Sequence, residues 1–281
     1  MTEAFTAHVQ RRWADLDAQG HVNNSPVLEY VREAWAQFAS ARSVTAPLAS
    51  SAPVALAQVQ YLQPVHHGRD PLRVSVGFGE HGAGRVVLES LVWQGDVPAA
   101  RARLVLRASE LTPAHLDVLD GHRVGDAFGP LRDLPVGPLD GRGLVYDLTP
   151  RLSDVNQRGE LDEVALYTYV QEARVAVMEQ IDPAMARLGA AESVPLVWFI
   201  AQQDVYYRAP APYRLAPYRM RTAVVRLGRS SITLNAELCD PARPGDVLMR
   251  AATVSVCAGV TGRPMPLPAS MRAALEPHCI G

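Results

Sequence analysis

An α+β protein made of two copies of one unit, each a long central helix wrapped by a curved antiparallel sheet, is what three features of this sequence predict. They are an internal repeat, an apolar stripe of helical period in each copy, and a series of strand-like runs behind each stripe.

The repeat sets the architecture. Residues 12–35, RWADLDAQGHVNNSPVLEYVREAW, align without a gap on residues 151–174, RLSDVNQRGELDEVALYTYVQEAR. The single offset that places Asp15 on Asp154 also places Arg12 on Arg151, Gly20 on Gly159, Tyr30 on Tyr169, Val31 on Val170, Glu33 on Glu172 and Ala34 on Ala173. The helix follows from spacing. Val27, Val31, Ala34, Trp35 and Phe38 share one helical face, and the second copy repeats the stripe as Leu166, Val170, Ala173, Arg174 and Val177, with one polar exception. Ser25-Pro26 reads as a cap followed by a first-turn proline, with Asn23 and Asn24 as competing caps.

Strand chemistry comes next in both copies. Residues 53–65 match 195–210 as apolar, β-branched and aromatic runs that end near a proline, and Tyr61 pairs with Tyr206. Further strands are expected at 71–79, 85–94 and 99–109, with counterparts at 217–227, 230–239 and 246–258. His81–Gly84 and Leu227–Ser230 supply hairpin turns. Residues 112–143 are rich in Pro, Gly and Asp without sustained periodicity and read as a connector, with one helical turn near Pro113–Leu119. The predicted organisation is therefore an N-terminal unit over 1–111, a linker over 112–143, and a C-terminal unit with a tail over 144–281.

Composition removes several function classes. A net charge of −2 leaves no broad basic field for nucleic acid or an anionic membrane. No apolar run approaches roughly 20 residues, so no spanning helix is expected. The opening stretch MTEAFTAHVQRRW carries charges where a secretory signal needs an apolar core, so a cytoplasmic location is expected. Cys239, Cys257 and Cys279 are scattered and odd in number, which argues against disulfides and zinc, and no cofactor is implied. His66-His67 lacks a third ligand and reads as a surface turn.

The chemistry concentrates in residues 12–24. Asp15, Asp17, His21, Asn23 and Asn24 crowd a turn that opens onto a helix, where unpaired backbone N–H groups and the dipole suit an anion or a developing oxyanion. A carboxylate there suits attack on a carbonyl or activation of a water. The two aspartates also suit simple turn closure through their side chains. Asp15 persists as Asp154 in the other copy, which favours a structural role. Asp17 becomes Asn156 and His21 becomes Glu160, which leaves structure and function equally weighted for Asp17.

The string D-L-D-A-Q-G-H-V-N-N, followed by E-Y-V-R-E-A, resembles the hot-dog thioesterases of the 4-hydroxybenzoyl-CoA and acyl-ACP thioesterase type, as a tandem double hot-dog. The layout matches along the whole chain, while residue-level likeness is strong only in this stretch, with RGELD as a weaker second copy. The resemblance implies hydrolysis of acyl-CoA or acyl-ACP, with Asp17 as nucleophile or general base and His21 as an auxiliary. It also implies Gly20, Asn23 and Asn24 as substrate contacts, with backbone amides around Asn23 and Asn24 holding the thioester oxygen, and no metal. Two departures stand out: Val27 where many members have tyrosine, and Ala18, Gln19 and Gly20 where plant acyl-ACP members place an asparagine. The resemblance further implies an intramolecular pseudo-dimer with one competent site, the other carrying Asn156 and Glu160, and sheet edges open to further self-association. Non-catalytic acyl binding is the rival expectation. Arg69, Arg73, Arg85, Arg214, Arg219 and Arg229 are candidates for CoA phosphates, though arginines on outward strand faces are more often merely solvated.

Overall fold

A computed structural model describes residues 4–17, 20–108, 111–186, 196–243, 245–259 and 262–281. Ala18 and Gln19 of the signature, Ser109 and Pro195 at expected strand ends, and Thr261 of the tail lie outside the described residues. The chain divides into two units, Met1–Asp133 and Leu134–Gly281.

In unit 1, β1 (Phe5–Val9) leads through a 3-10 turn (Trp13–Asp15) into α1 (Asn24–Ser40) and a short α2 (Ala46–Ser51). Four strands follow: β2 (Val54–Tyr61), β3 (Leu72–Gly82), β4 (Arg85–Gln94) and β5 (Val97–Arg107), then α3 (Pro113–Asp120). The sheet is antiparallel in the order β1-β3-β4-β5-β2. Ala83 and Gly84 take positive φ between β3 and β4, as a two-residue turn between right-twisted strands requires. The predicted stripe buries Val27, Val31, Ala34, Trp35 and Phe38 against the sheet. Trp35, Phe38 and Phe78 stack or meet edge-on with centroids 4.9–6.0 Å apart, and Phe5 closes the cluster 5.5 Å from Phe38.

Unit 2 repeats the order: β6 (Leu144–Leu148), a 3-10 turn (Leu152–Asp154), α4 (Glu163–Ile181), a short α5 (Pro183–Ala186), then β7 (Leu196–Tyr207), β8 (Tyr218–Leu227), β9 (Ser231–Cys239), β10 (Val247–Gly259) and α6 (Ala269–Leu275). Its sheet is antiparallel, in the order β6-β8-β9-β10-β7. Among the described residues no helix is long and apolar enough to cross a membrane.

Three readings change. The cap of α1 is Asn23, whose side chain accepts from the Asn24 amide, not Ser25; Ser25 and Pro26 lie inside the first turn. Tyr61 corresponds to Tyr207, not Tyr206: Tyr61 donates to the carbonyl of Asn24 at 2.9 Å, and Tyr207 donates to that of Glu163, the residue aligned with Asn24, at 2.7 Å. Matching two adjacent tyrosines by letter alone erred by one residue, and one residue along a strand is the opposite face.

The third change concerns the repeat's length. In unit 1, Phe78 donates to His122 O and accepts from Val124, forming a parallel bridge to Arg123. In unit 2, Val224 accepts from Ile280 and bridges Cys279 in the same parallel sense. Thus α3 with His122 and α6 with His278 are equivalent elements. The connector, whose expected helical turn near Pro113–Leu119 is present as α3, and the terminal tail each supply a helix whose following residues return to their own sheet.

The remaining connector lies against polar strand side chains. In unit 1 Arg103 pairs with Glu89 at 2.8 Å, while Gln58 donates to Asp133 at 2.9 Å. In unit 2 Arg250 pairs with Glu237 at 2.9 Å, and Glu237 accepts the Leu139 amide at 3.3 Å. Burial raises the Glu89 carboxyl above its ordinary pKa, and the Arg103 guanidinium opposes that rise.

Candidate active site

Both units build the segment before the long helix in the same way. After the 3-10 turn, Leu16 bridges Val22, and the chain between them reverses at Gly20, which sits at φ +79°. The second unit bridges Val155 to Leu161 and reverses at Gly159, φ +76°. L residues other than glycine rarely hold this left-handed conformation, so Gly20 serves the turn.

Asp15 belongs to the fold. It is 8% exposed, and one carboxylate oxygen accepts the Arg12 amide and the Tyr30 hydroxyl, both at 2.6 Å. Asp154 accepts the Arg151 amide at 2.8 Å and the Tyr169 hydroxyl at 2.6 Å. Burial first, then the hydrogen bond to the aspartate, push both phenols far above the ordinary tyrosine pKa, so each remains a donor. A cavity of about 350 Å³ beside Asp15 and Tyr30 is lined by His8, Arg12, Glu29 and Glu33; neither Asp17 nor His21 lines it.

Asp17 closes the reversal. Its amide donates to His21 O at 2.8 Å, its carbonyl accepts from Gly20 at 3.1 Å, and its Oδ1 accepts the His21 amide at 3.2 Å. Asn156 makes the matching three contacts, to Glu160 O at 2.8 Å, from Gly159 at 3.1 Å and from the Glu160 amide at 3.3 Å. An amide oxygen therefore closes this turn as well as a carboxylate does. The charge on Asp17 is not something the turn requires. In Asn156 the other side-chain atom, Nδ2, is buried without a hydrogen-bond partner.

The backbone amides expected to hold a substrate oxygen are already engaged. Asn23 N donates to Asp15 O at 2.8 Å, Asn24 N to Asn23 Oδ1 at 2.6 Å, and Val22 N to Val65 O at 2.7 Å. Any substrate contact from Asn23 or Asn24 therefore falls to their side-chain amides.

The structure adds a residue that sequence reasoning set aside. His66 forms an isolated antiparallel bridge with His21, and the two rings meet edge-on with centroids 4.9 Å apart. Next to it His67 packs edge-on at 5.5 Å against Trp13, which is 77% exposed. Arg11 ties this loop down through the carbonyl of His66. The second unit bridges Glu160 to Pro212 instead, and Arg158 pairs with Glu160 at 3.1 Å and Glu163 at 3.4 Å. The missed signal was long-range pairing, invisible when His66-His67 is read as a local turn. Among the described residues no group of three or more His, Cys, Asp or Glu side chains is placed to hold a metal ion.

The fold, a long helix against an antiparallel sheet in each unit, is the hot-dog fold seen in thioesterases of known structure. Residues 11–107 and 150–275 match the family model of the thioesterase-like superfamily, well over half of the chain, and the chain belongs to that superfamily. Among solved structures, a protein of Lactobacillus plantarum provisionally named an oleoyl thioesterase superposes with a TM-score of 0.67 at 8% identity, covering 94% of this chain and 97% of that one. An acyl-ACP thioesterase of Bacteroides thetaiotaomicron gives 0.66 at 10% identity, covering 89% and 97%. The 12:0-ACP thioesterase of Umbellularia californica gives 0.64 at 14% identity, covering 91% and 98%. At such identities the likeness concerns the fold. Comparison with curated protein sequences yields no match.

Proposed function

We propose that the chain is a tandem of two hot-dog units, each helix wrapped by its sheet and joined through the segment that follows α3, that hydrolyses acyl thioesters, acyl-CoA foremost. Asp17 is the essential carboxylate. One observation carries this reading: Asn156 makes the same turn contacts as Asp17 without a charge, so those contacts do not themselves call for a carboxylate. Membership in the thioesterase-like superfamily supports the reaction type.

As a general base, Asp17 takes a proton from water while the hydroxide adds to the thioester carbonyl. The C–S bond then breaks and the leaving thiolate recovers the proton. His21, backed by His66, and the side-chain amides of Asn23 and Asn24 orient the water and the carbonyl oxygen; Gly20 sets the turn that presents them. The second unit, with Asn156 and an Arg158–Glu160 ion pair, does not hydrolyse. Unpaired Cys239, Cys257 and Cys279 fit a reducing compartment, and the cytoplasm is the setting proposed.

The names of two structural relatives make acyl-carrier protein the second carrier to examine. The test is release of free thiol from short, medium, long and aromatic acyl-CoAs and from acyl-ACP, comparing wild type with Asp17→Asn. A positioned base is worth about 10²–10⁴-fold, so turnover should fall by that factor while the circular dichroism stays unchanged. Wild-type turnover in the variant removes Asp17 from the mechanism; binding without turnover in wild type makes the chain an acyl-binding protein.

A further inference from the structure

The two units diverge most in what fills the space between the C-terminal half of the long helix and the sheet. Backbone pairing fixes the correspondence: Phe5 faces Val76 as Leu144 faces Thr222, and Val124 bonds Phe78 as Ile280 bonds Val224. In unit 1 the space holds the rings of Phe5, Phe38 and Phe78, with His122 edge-on to Phe38 at 5.2 Å and the Arg42 guanidinium 4.9 Å over the same ring. In unit 2 the corresponding residues are Leu144, Val177, Val224, His278 and Ile181. Three aromatic rings have become short aliphatic side chains, and a cavity of about 180 Å³ opens between them.

We infer that this cavity is a second binding site, one that takes the hydrocarbon end of a short aliphatic carboxylic acid. Its walls are Leu144, Val177, Ile181, Val224 and Ile280, with His278 among the lining residues. A volume of about 150 Å³ accepts a six-carbon molecule such as benzene, so an alkyl chain of about six carbons matches the size of this cavity, whose lining also includes Thr222. Polarity is supplied near the lining. The exposed Arg142 guanidinium donates to the Ile280 carbonyl at 3.2 Å, next to Gly143, which also lines the cavity. A cation is therefore held beside the backbone of two lining residues, Gly143 by sequence and Ile280 by hydrogen bond, as a partner for the carboxylate of a chain buried in the cavity. The inference is independent of the hydrolytic reading, since none of these residues belongs to the Asp17 turn.

The probes are hexanoate and hexan-1-ol, titrated into the full chain while the methyl resonances of Leu144, Val177, Ile181 and Val224 are followed by NMR. Saturable shifts at these methyls are expected with both. Val177→Phe, which restores the unit 1 residue, abolishes them, and Leu144→Phe does the same from the edge strand should the first variant fold poorly. Arg142→Gln weakens hexanoate several-fold and leaves hexan-1-ol unchanged. Absence of saturable shifts, or shifts that persist in a folded filled variant, overturns the site. Equal hexanoate affinity in wild type and Arg142→Gln overturns the carboxylate as its ligand class. An Asp17→Asn enzyme should bind hexanoate as wild type does, whatever that substitution does to turnover.

Discussion

Units 1 and 2 carry the same turn, the same aspartate–tyrosine clamp and the same half-buried arginine–glutamate pair, yet they differ at nearly every residue with chemistry to offer. Asp15 with Tyr30 and Asp154 with Tyr169 superpose in role, as do Arg103 with Glu89 and Arg250 with Glu237. By contrast, Asp17, His21, His66 and Trp13 stand opposite Asn156, Glu160, Pro212 and Leu152. One chain thus provides its own control. What both copies keep is what a helix and sheet of this design need in order to close. What only one copy keeps is not required by the shared design, and at the turn it is where chemistry is to be sought.

The largest effect expected from breaking this comparison lies at the turn. Returning a carboxylate to unit 2 with Asn156→Asp, in an Asp17→Asn background, should leave hydrolysis depressed by about 10²–10⁴-fold, because Glu160 and Pro212 do not reproduce the paired histidines. Thiol-release assays on the single and double variants decide it. A restored rate would mean that the carboxylate alone makes the site.

Next come the two cores. Phe38→Ala empties a fully buried position in a ring cluster and should cost about 3–5 kcal/mol. Val177→Ala should cost only about 2 kcal/mol, at ~0.8 kcal/mol for each methylene-sized group removed, because it widens a cavity that already exists. Urea unfolding measures both. Equal losses would mean that the unit 2 core is as tightly filled as the unit 1 core.

Legibility in the sequence followed the range of the interactions. Helix α1 and its copy were readable from stripe spacing, and most strand limits fell within a few residues, since alternation and turn residues act locally. The Tyr206/Tyr207 pairing was not readable, because only the hydrogen bond to the helix start says which tyrosine faces inward. Nor was the kinship of α3 and α6, whose sequences PAHLDVLD and ASMRAAL share little; their backbone return to Phe78 and Val224 reveals it. At the site, Asp17 and His21 stood out because a short segment concentrated polar residues. His66 reaches His21 only through a pairing between distant segments. The engagement of the Asn23 and Asn24 amides is likewise a property of the folded turn.

A smaller effect tests the shared part. Tyr30→Phe and Tyr169→Phe each remove one donor to a carboxylate and should destabilise by similar amounts, about 1.5–3 kcal/mol. Thermal or urea unfolding reads this out, with turnover per folded molecule unchanged. A Tyr30→Phe protein that keeps its stability and loses turnover would move Asp15 from the scaffold into the chemistry.

The smallest expected effect concerns the pair of rings that unit 2 lacks. An edge-on contact between two rings is worth about 0.5–1.5 kcal/mol, which corresponds to roughly 2- to 12-fold in a rate that depends on the ring's orientation. His66→Ala should therefore lower kcat within that range without raising KM. His66→Phe should recover most of the loss, because the edge of a phenyl ring holds the His21 imidazole much as an imidazole does. In a His21→Ala background the His66→Ala change should do nothing further, since a positioning residue has no effect once the group it positions is gone. If His66→Ala costs as much there as in wild type, His66 acts on substrate directly and the site extends along the loop toward His67 and Trp13.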